Sequence, residues 1–320
     1  MLSASISAPP DPMQSGGAHF VPCELRPILK IKDLSKSYGH IDVLKKACMS
    51  LYPGEIIGLL GANGAGKTTL IECIMGAIVN YHGSVMISGL CTKENPSVIA
   101  KHAAFMLEPA FCNYMSARDN LMLIASIIDV PPEKVNEVLR VVSLSDAARR
   151  KPSTFSFGML QRLGLAQTLL VEPDVLVLDE PFVGLDPRGI SLIKTILQKL
   201  AANNTGIIFS SHQVEDVEGI CHEVVLLENG VIGKRIRVED ATHIKKIKLH
   251  FERPINTKFA KKLDELIPNV CLSKALDIAC MFSIDDFNQF IQIIPPDLNL
   301  IDIEITRHNL AELLVDGARR

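Results

Sequence analysis

Apolar positions along this chain follow two rhythms. Short apolar runs at 55–60, 103–107, 175–178 and 207–211 predict buried strands. The unbroken Val-Leu-Val-Leu at 175–178 is what a parallel sheet covered on both faces requires. Between these runs, residues 70–75, 163–170 and 190–200 repeat with helical spacing. A β-rich opening precedes them, with strands predicted at 28–34 and 43–51 around a turn at Tyr38-Gly39, closed by Pro53-Gly54. Residues 83–89 read as one more strand between turns. Residues 117–148 are helical, broken at Pro131-Pro132, which opens a new helix with Glu133 in its first turn. Apolar stretches at 223–227 and 231–236 flank Glu228-Asn229-Gly230, a hairpin signal. The whole predicts an α/β chain carrying an antiparallel part and a helical insertion.

The two ends behave differently. Residues 1–27 are rich in Pro, Ser, Ala and Gly without periodicity and are expected to form a flexible extension. Beyond residue 240, strands are expected at 243–252, 271–284 and 300–305, with helices at 257–267 and 285–294 and a terminal helix. That order suggests a small α+β domain of the ferredoxin-like β-α-β-β-α-β kind over 241–320.

Composition narrows the function. A net charge of −3 gives no electrostatic case for a nucleic-acid partner. Eight cysteines occur without a C-x-x-C pair, which argues against zinc or redox chemistry and suits a reduced, cytosolic setting. No run approaches the length needed to span a bilayer, and the first residues lack the pattern of a secretory signal. Any work at a membrane therefore needs another polypeptide to span it.

The chemistry concentrates after the strand at 55–60. There the chain reads Gly61-Ala62-Asn63-Gly64-Ala65-Gly66-Lys67-Thr68-Thr69 and runs into a helix. Strand, glycine-rich loop and helix are the setting in which G-x-x-x-x-G-K-[ST] binds phosphate. Backbone N–H groups converge on one centre, the helix start adds positive partial charge, Lys67 reaches the β/γ-phosphates and Thr68 offers a hydroxyl to Mg²⁺. Asp179 and Glu180 end the buried run at 175–178, where open α/β sheets place their ligands. Asp179 is suited to hold the metal and Glu180 to orient or deprotonate a water. Tyr38 reads either as a base-stacking aromatic or as a turn tyrosine, and no local signal promotes His212 or Glu108.

Together these segments resemble the nucleotide-binding domain of an ATP-binding cassette (ABC) transporter over residues 28–240. The resemblance implies a P-loop fold with an antiparallel β subdomain and a helical subdomain at 109–165. It makes Tyr38 the adenine-stacking aromatic, 61–69 the Walker A loop, 175–180 the Walker B strand, Gly184-Leu185-Asp186-Pro187 the D-loop and His212 the switch histidine. Residues 156–162 match the signature segment, whose Ser156 and Gly158 would face ATP held by another subunit. Two positions depart from the family pattern. Phe157 stands in place of a signature glycine, and Glu108, a further candidate metal contact, replaces the Q-loop glutamine. Glu108 and the Ser-x-Gly-Met-x-Gln-Arg-Leu-Gly segment are similar to the subgroup serving bacitracin and lantibiotic export. The implied protein is a peripheral ATPase on the cytoplasmic membrane face. It would use ATP and Mg²⁺, pair with a second copy or a paralogue, and drive separate permease chains whose coupling helix docks at 109–114. The alternatives are a soluble ABC-type ATPase for iron–sulfur assembly or a similar task, not coupled to transport, and a degenerate binder that does not hydrolyse ATP, prompted by Phe157 and Glu108.

Overall fold

In a computed structural model, residues 26–238, 244–251, 271–273, 277–280 and 300–307 are described. The helices expected at 257–267, at 285–294 and at the C-terminus, and nearly all of the expected N-terminal extension, lie outside them. The chain opens with β1 (Leu29–Tyr38), β2 (Ile41–Leu51), β3 (Ile56–Leu60) and α1 (Lys67–Ile74). It continues through β4 (His82–Ile87), β5 (Leu90–Cys91), α2 (Ser97–His102) and β6 (Ala103–Met106). The helical insertion holds α3 (Ala117–Ile127), α4 (Pro132–Val141) and α5 (Phe157–Thr168). Next come β7 (Val175–Leu178), α6 (Pro187–Ala202), β8 (Gly206–Ser211), α7 (Val214–Val217), β9 (Glu223–Glu228) and β10 (Val231–Arg237). Four strands follow: β11 (Ile244–Phe251), β12 (Cys271–Ser273), β13 (Asp277–Cys280) and β14 (Leu300–Arg307).

The central sheet has the order β10-β9-β3-β8-β7-β6. Its strands β9, β3, β8, β7 and β6 run parallel, and β10 adds an antiparallel edge. Alternate residues of one strand enter opposite cores, as the pleat dictates. Ile56, Leu176, Leu178, Ile207 and Phe209 pack with α3 to α6 on one side. Ile57, Leu59, Val175, Val177 and Ile208 pack on the other side with α1 and the antiparallel sheet β2-β1-β4-β5. Burial on both faces is why these strands read as unbroken apolar runs. The C-terminal strands form a third, antiparallel sheet in the order β12-β13-β11-β14.

Three local features differ from the sequence reading. β1 continues past Leu34 to Tyr38, which pairs with Ile41, because register shifts after Ile31, Leu34 and Lys36 absorb the irregular polar stretch. Tyr38 thus ends a strand, and the turn is Gly39-His40. α5 starts at Phe157, six residues before the apolar repeat, because Ser156 caps it by accepting from the Met159 N–H at 3.3 Å. α2 and α7 are too short for a helical period to register.

Packing against the sheet is close at Gly58, where a Cβ would lie 2.5 Å from Val217 Cγ1 and 3.1 Å from Cys221 Sγ. Burial pushes the Cys221 thiol up, and the Cys73 thiol in α1 up to about 11, whereas Cys48 is exposed. Since the thiolate is the nucleophile, iodoacetamide at mildly alkaline pH should label Cys48 in the native protein. It should leave Cys73 and Cys221 unmodified until denaturant is added, as read by peptide mass spectrometry. Equal native labelling at all three positions would contradict this packing.

Candidate nucleotide site

The parallel strands bring three chain segments to one edge of the sheet. β8 lies between β3 and β7, with Leu59 level with Ser210 and Leu178 level with Phe209. The loop leaving β3, the acidic pair leaving β7 and the end of β8 therefore meet. The loop must run close to the backbone beside it: a Cβ on Gly61 would lie 2.5 Å from the Leu227 carbonyl oxygen and 3.3 Å from Ala65 Cβ. Gly66, with φ +106°, turns the chain into α1, which no side chain caps. Its first N–H groups thus meet no side-chain competitor for an anion.

Lys67 lies on the cavity wall, only 6% exposed. Its Nζ donates to the Gly61 carbonyl at 2.7 Å and the Ala62 carbonyl at 3.3 Å, and lies 3.6 Å from Glu180 Oε1. Glu180 Oε2 is 2.9 Å from His212 Nδ1. A carboxylate only accepts here, so Nδ1 carries the proton, and the contact of Gln213 Nε2 with His212 Nε2 at 3.4 Å has the amide donating. Thr68 Oγ1 donates to Asp179 Oδ2 at 3.0 Å, and Ser210 Oγ donates to Asp179 Oδ1 at 2.5 Å. Behind the acidic pair, Phe182 packs edge-on against Phe209 with ring centroids 5.3 Å apart. That contact is worth about 0.5–1.5 kcal/mol beyond area burial, and it anchors the segment that carries Glu180.

Asn63, Gly64, Lys67, Thr68, Asp179 and Glu180 line a cavity of about 270 Å³ together with Val43. The donor set fits a magnesium–phosphate group. The hard oxygens of Thr68 and Asp179 sit side by side, next to a loop that supplies N–H groups and an ammonium. Among the described residues no cluster of three or more His, Cys, Asp or Glu forms a self-sufficient metal cage.

The other sequence-selected residues lie apart from this cluster. Ser156 and Gly158 begin α5, and Ser156 is exposed. The Phe157 ring lies against Gly184, in the space a Cβ there would need, and is itself 47% exposed. Tyr38 is 49% exposed with the Lys36 ammonium 4.7 Å from its ring centroid. Glu108 is exposed two residues beyond β6 and does not line the cavity. Sequence reasoning passed over Ser210 and Ser211, whose only signal was two hydroxyls ending an otherwise apolar strand. Ser211 Oγ donates to Asp216 at 2.5 Å and accepts from the Gln213 N–H at 3.0 Å, ordering the turn that carries His212. A larger cavity of about 600 Å³ between α4 and α6 contains none of the motif residues.

A sequence profile of ABC transporters matches residues 44–183. The bacitracin transport ATP-binding protein BcrA of Enterococcus faecalis is 38% identical over 216 residues, 67% of this chain and 70% of that protein. The chain belongs to the ABC transporter ATP-binding family. The lantibiotic transport ATP-binding protein SrtF of Streptococcus pyogenes is 32% identical over 64% of this chain and 89% of its own length. A solved ATP-binding subunit of an ABC transporter, 29% identical, superposes with a TM-score of 0.62 over 67% of this chain and 91% of its own. The ABC fold thus accounts for the three-strand convergence, and residues 61–69 fall inside the span that the family profile matches.

The crowding at Gly61 generates a test. Gly61→Ala forces the loop away from the Leu227 backbone, at a cost of about 1–3 kcal/mol for an overpacked site. Denaturant unfolding should show that loss, and equilibrium titration should show weaker ATP binding. Unchanged ATP affinity would mean that the loop position does not set the phosphate cradle.

Proposed function

We propose that this subunit hydrolyses ATP as part of a dimer and thereby drives export of a peptide or drug-like cargo through separate permease chains. The observation that supports it best is the continuous contact chain Lys67–Glu180–His212 beside Thr68–Asp179, at the mouth of the phosphate loop. In this reading residues 28–240 are the ATPase unit, with 109–165 as its helical part and 241–320 as an appended domain. The names of the bacitracin and lantibiotic relatives support a peptide cargo. Among the described residues no helix is long and apolar enough to cross a membrane, in keeping with a peripheral subunit docking through 109–114.

Lys67 exchanges its contacts with Gly61, Ala62 and Glu180 for the β/γ-phosphates. The N–H groups of 61–69 take the remaining phosphate oxygens, and Tyr38 stacks on the adenine. When bound, Mg²⁺ would be held by Thr68 and Asp179, the exposed Glu108 lying outside the cavity they line, and would neutralise charge on the phosphates. Glu180 takes a proton from water as the water oxygen bonds to the γ-phosphorus and the bond to the ADP oxygen breaks. His212 holds the Glu180 carboxylate through its Nδ1–H and, 41% exposed, stays open to a γ-phosphate oxygen. Ser156 and Gly158, exposed or half-buried and outside this chain's own cavity, face the nucleotide of the opposing subunit.

Lys67→Ala should abolish measurable turnover. Glu180→Gln should cut it by about 10²–10⁴-fold, the usual scale for a lost general base. The glutamine variant should also elute as an ATP-bound dimer in size-exclusion chromatography. A Glu180→Gln protein that binds ATP yet turns over at the unsubstituted rate would remove Glu180 from the reaction.

A further inference from the structure

Ser210 occupies a position where an apolar residue would be the default. Ile207, Ile208 and Phe209 precede it, all fully buried, and Ser210 itself is 0% exposed. A buried hydroxyl costs free energy unless its hydrogen-bonding capacity is used. Here both halves are used. The Oγ–H donates to Asp179 Oδ1 at 2.5 Å, and the oxygen accepts from the Glu180 backbone N–H at 2.9 Å. A carboxylate needs a donor and an N–H needs an acceptor, and a hydroxyl is a small side chain that supplies both from one atom.

Each bond acts on a different part of the site. Asp179 already accepts from Thr68 on its other oxygen, so the Ser210 bond removes the remaining freedom of carboxylate rotation. Glu180 has φ +49°, a left-handed conformation that costs a non-glycine residue roughly 1–2 kcal/mol. The Ser210 oxygen holds the N–H of that strained residue, from which the side chain reaches Lys67 and His212. The strand order makes this arrangement available. β8 is the neighbour of both β3 and β7, and Ser210 stands level with the first residue beyond β7.

We propose that Ser210 is a positioning residue for ATP hydrolysis, setting the Asp179 carboxylate and the Glu180 backbone together while touching neither phosphate nor water. This rests on the hydrolytic reading above. Two substitutions test it. Ser210→Ala removes both bonds, and Ser210→Thr keeps the hydroxyl. For each, kcat, KM, the unfolding midpoint and equilibrium ATP affinity in EDTA and in magnesium would be measured. Ser210→Ala should lower kcat by about 10–100-fold, the usual effect of losing a group that orients a metal-binding side chain. It should keep its affinity for ATP in EDTA and lose much of the gain in affinity that magnesium brings. Ser210→Thr should recover most of both properties.

A Ser210→Ala protein with unsubstituted kcat and an unsubstituted magnesium gain overturns the proposal. So does a parallel fall of kcat, EDTA affinity and unfolding midpoint in both variants, which would mark Ser210 as packing alone. Absence of turnover in the unsubstituted protein is a different result. It overturns the hydrolytic reading and takes this proposal with it.

Discussion

The carboxylate of Asp179 is gripped by two hydroxyls, Thr68 on one oxygen and Ser210 on the other. Those three residues come from the helix after β3, the end of β7 and the end of β8, separated by 111 and 31 positions in the chain. No local preference brings them together; only the strand order of the central sheet does. Parallel strands all point the same way, so their carboxyl ends share one edge, and loops leaving that edge face one another. The meeting of the glycine-rich loop, the acidic pair and His212 is therefore a consequence of one sheet rather than of separate local signals.

That dependence puts a demand on the sheet itself. A shift of β3 against β8 by one residue would exchange the two faces of the strand, expelling Ile57 and Leu59 from one core and moving Ser210 out of register with the loop. The amino ends are tied as firmly as the site end. The Ile56 N–H donates to His222 Nδ1 at 3.0 Å, and Arg235 bridges Glu55 and Glu223 across β3, β9 and β10. Burial pushes the Glu55 carboxyl up despite the neighbouring guanidinium, so the pair serves position at some cost in desolvation. Register is thus set by apolar alternation along the strands and by a polar lock at their start.

Much of this was legible because two-sided burial leaves a strong trace. The runs at 55–60, 103–107, 175–178 and 207–211 are apolar through most of their length since both faces are packed, and they mark β3, β6, β7 and β8 within a residue or two. The glycine-rich loop was legible for a different reason: its glycines are demanded by backbone approach, as at Gly61, and by φ, as at Gly66. Ser210 was not legible, because a serine near a strand end looks like any strand meeting solvent. Only three-dimensional neighbours reveal that it is buried and bonded twice. The start of α5 was invisible to periodicity for a related reason, since a cap is a single polar residue; only the resemblance of 156–162 to a helix-opening segment pointed to it.

Phe157 shows how a departure from a family pattern can be absorbed locally. A phenylalanine in place of a signature glycine needs room beside the first turn of α5. The structure provides that room at Gly184, whose missing Cβ leaves space for the ring and whose φ of +70° suits glycine in any case. One residue on, a Cβ at Gly158 would lie 3.0 Å from Leu185 Cδ2, so the start of α5 and the 184–187 segment pack as one piece. Asp186 in that segment caps α6 through the Gly189 N–H at 2.8 Å. The ring is therefore braced against a helix-capping loop rather than left loose. The added apolar bulk at position 157 is carried by neighbours that do not line the cavity beside Lys67.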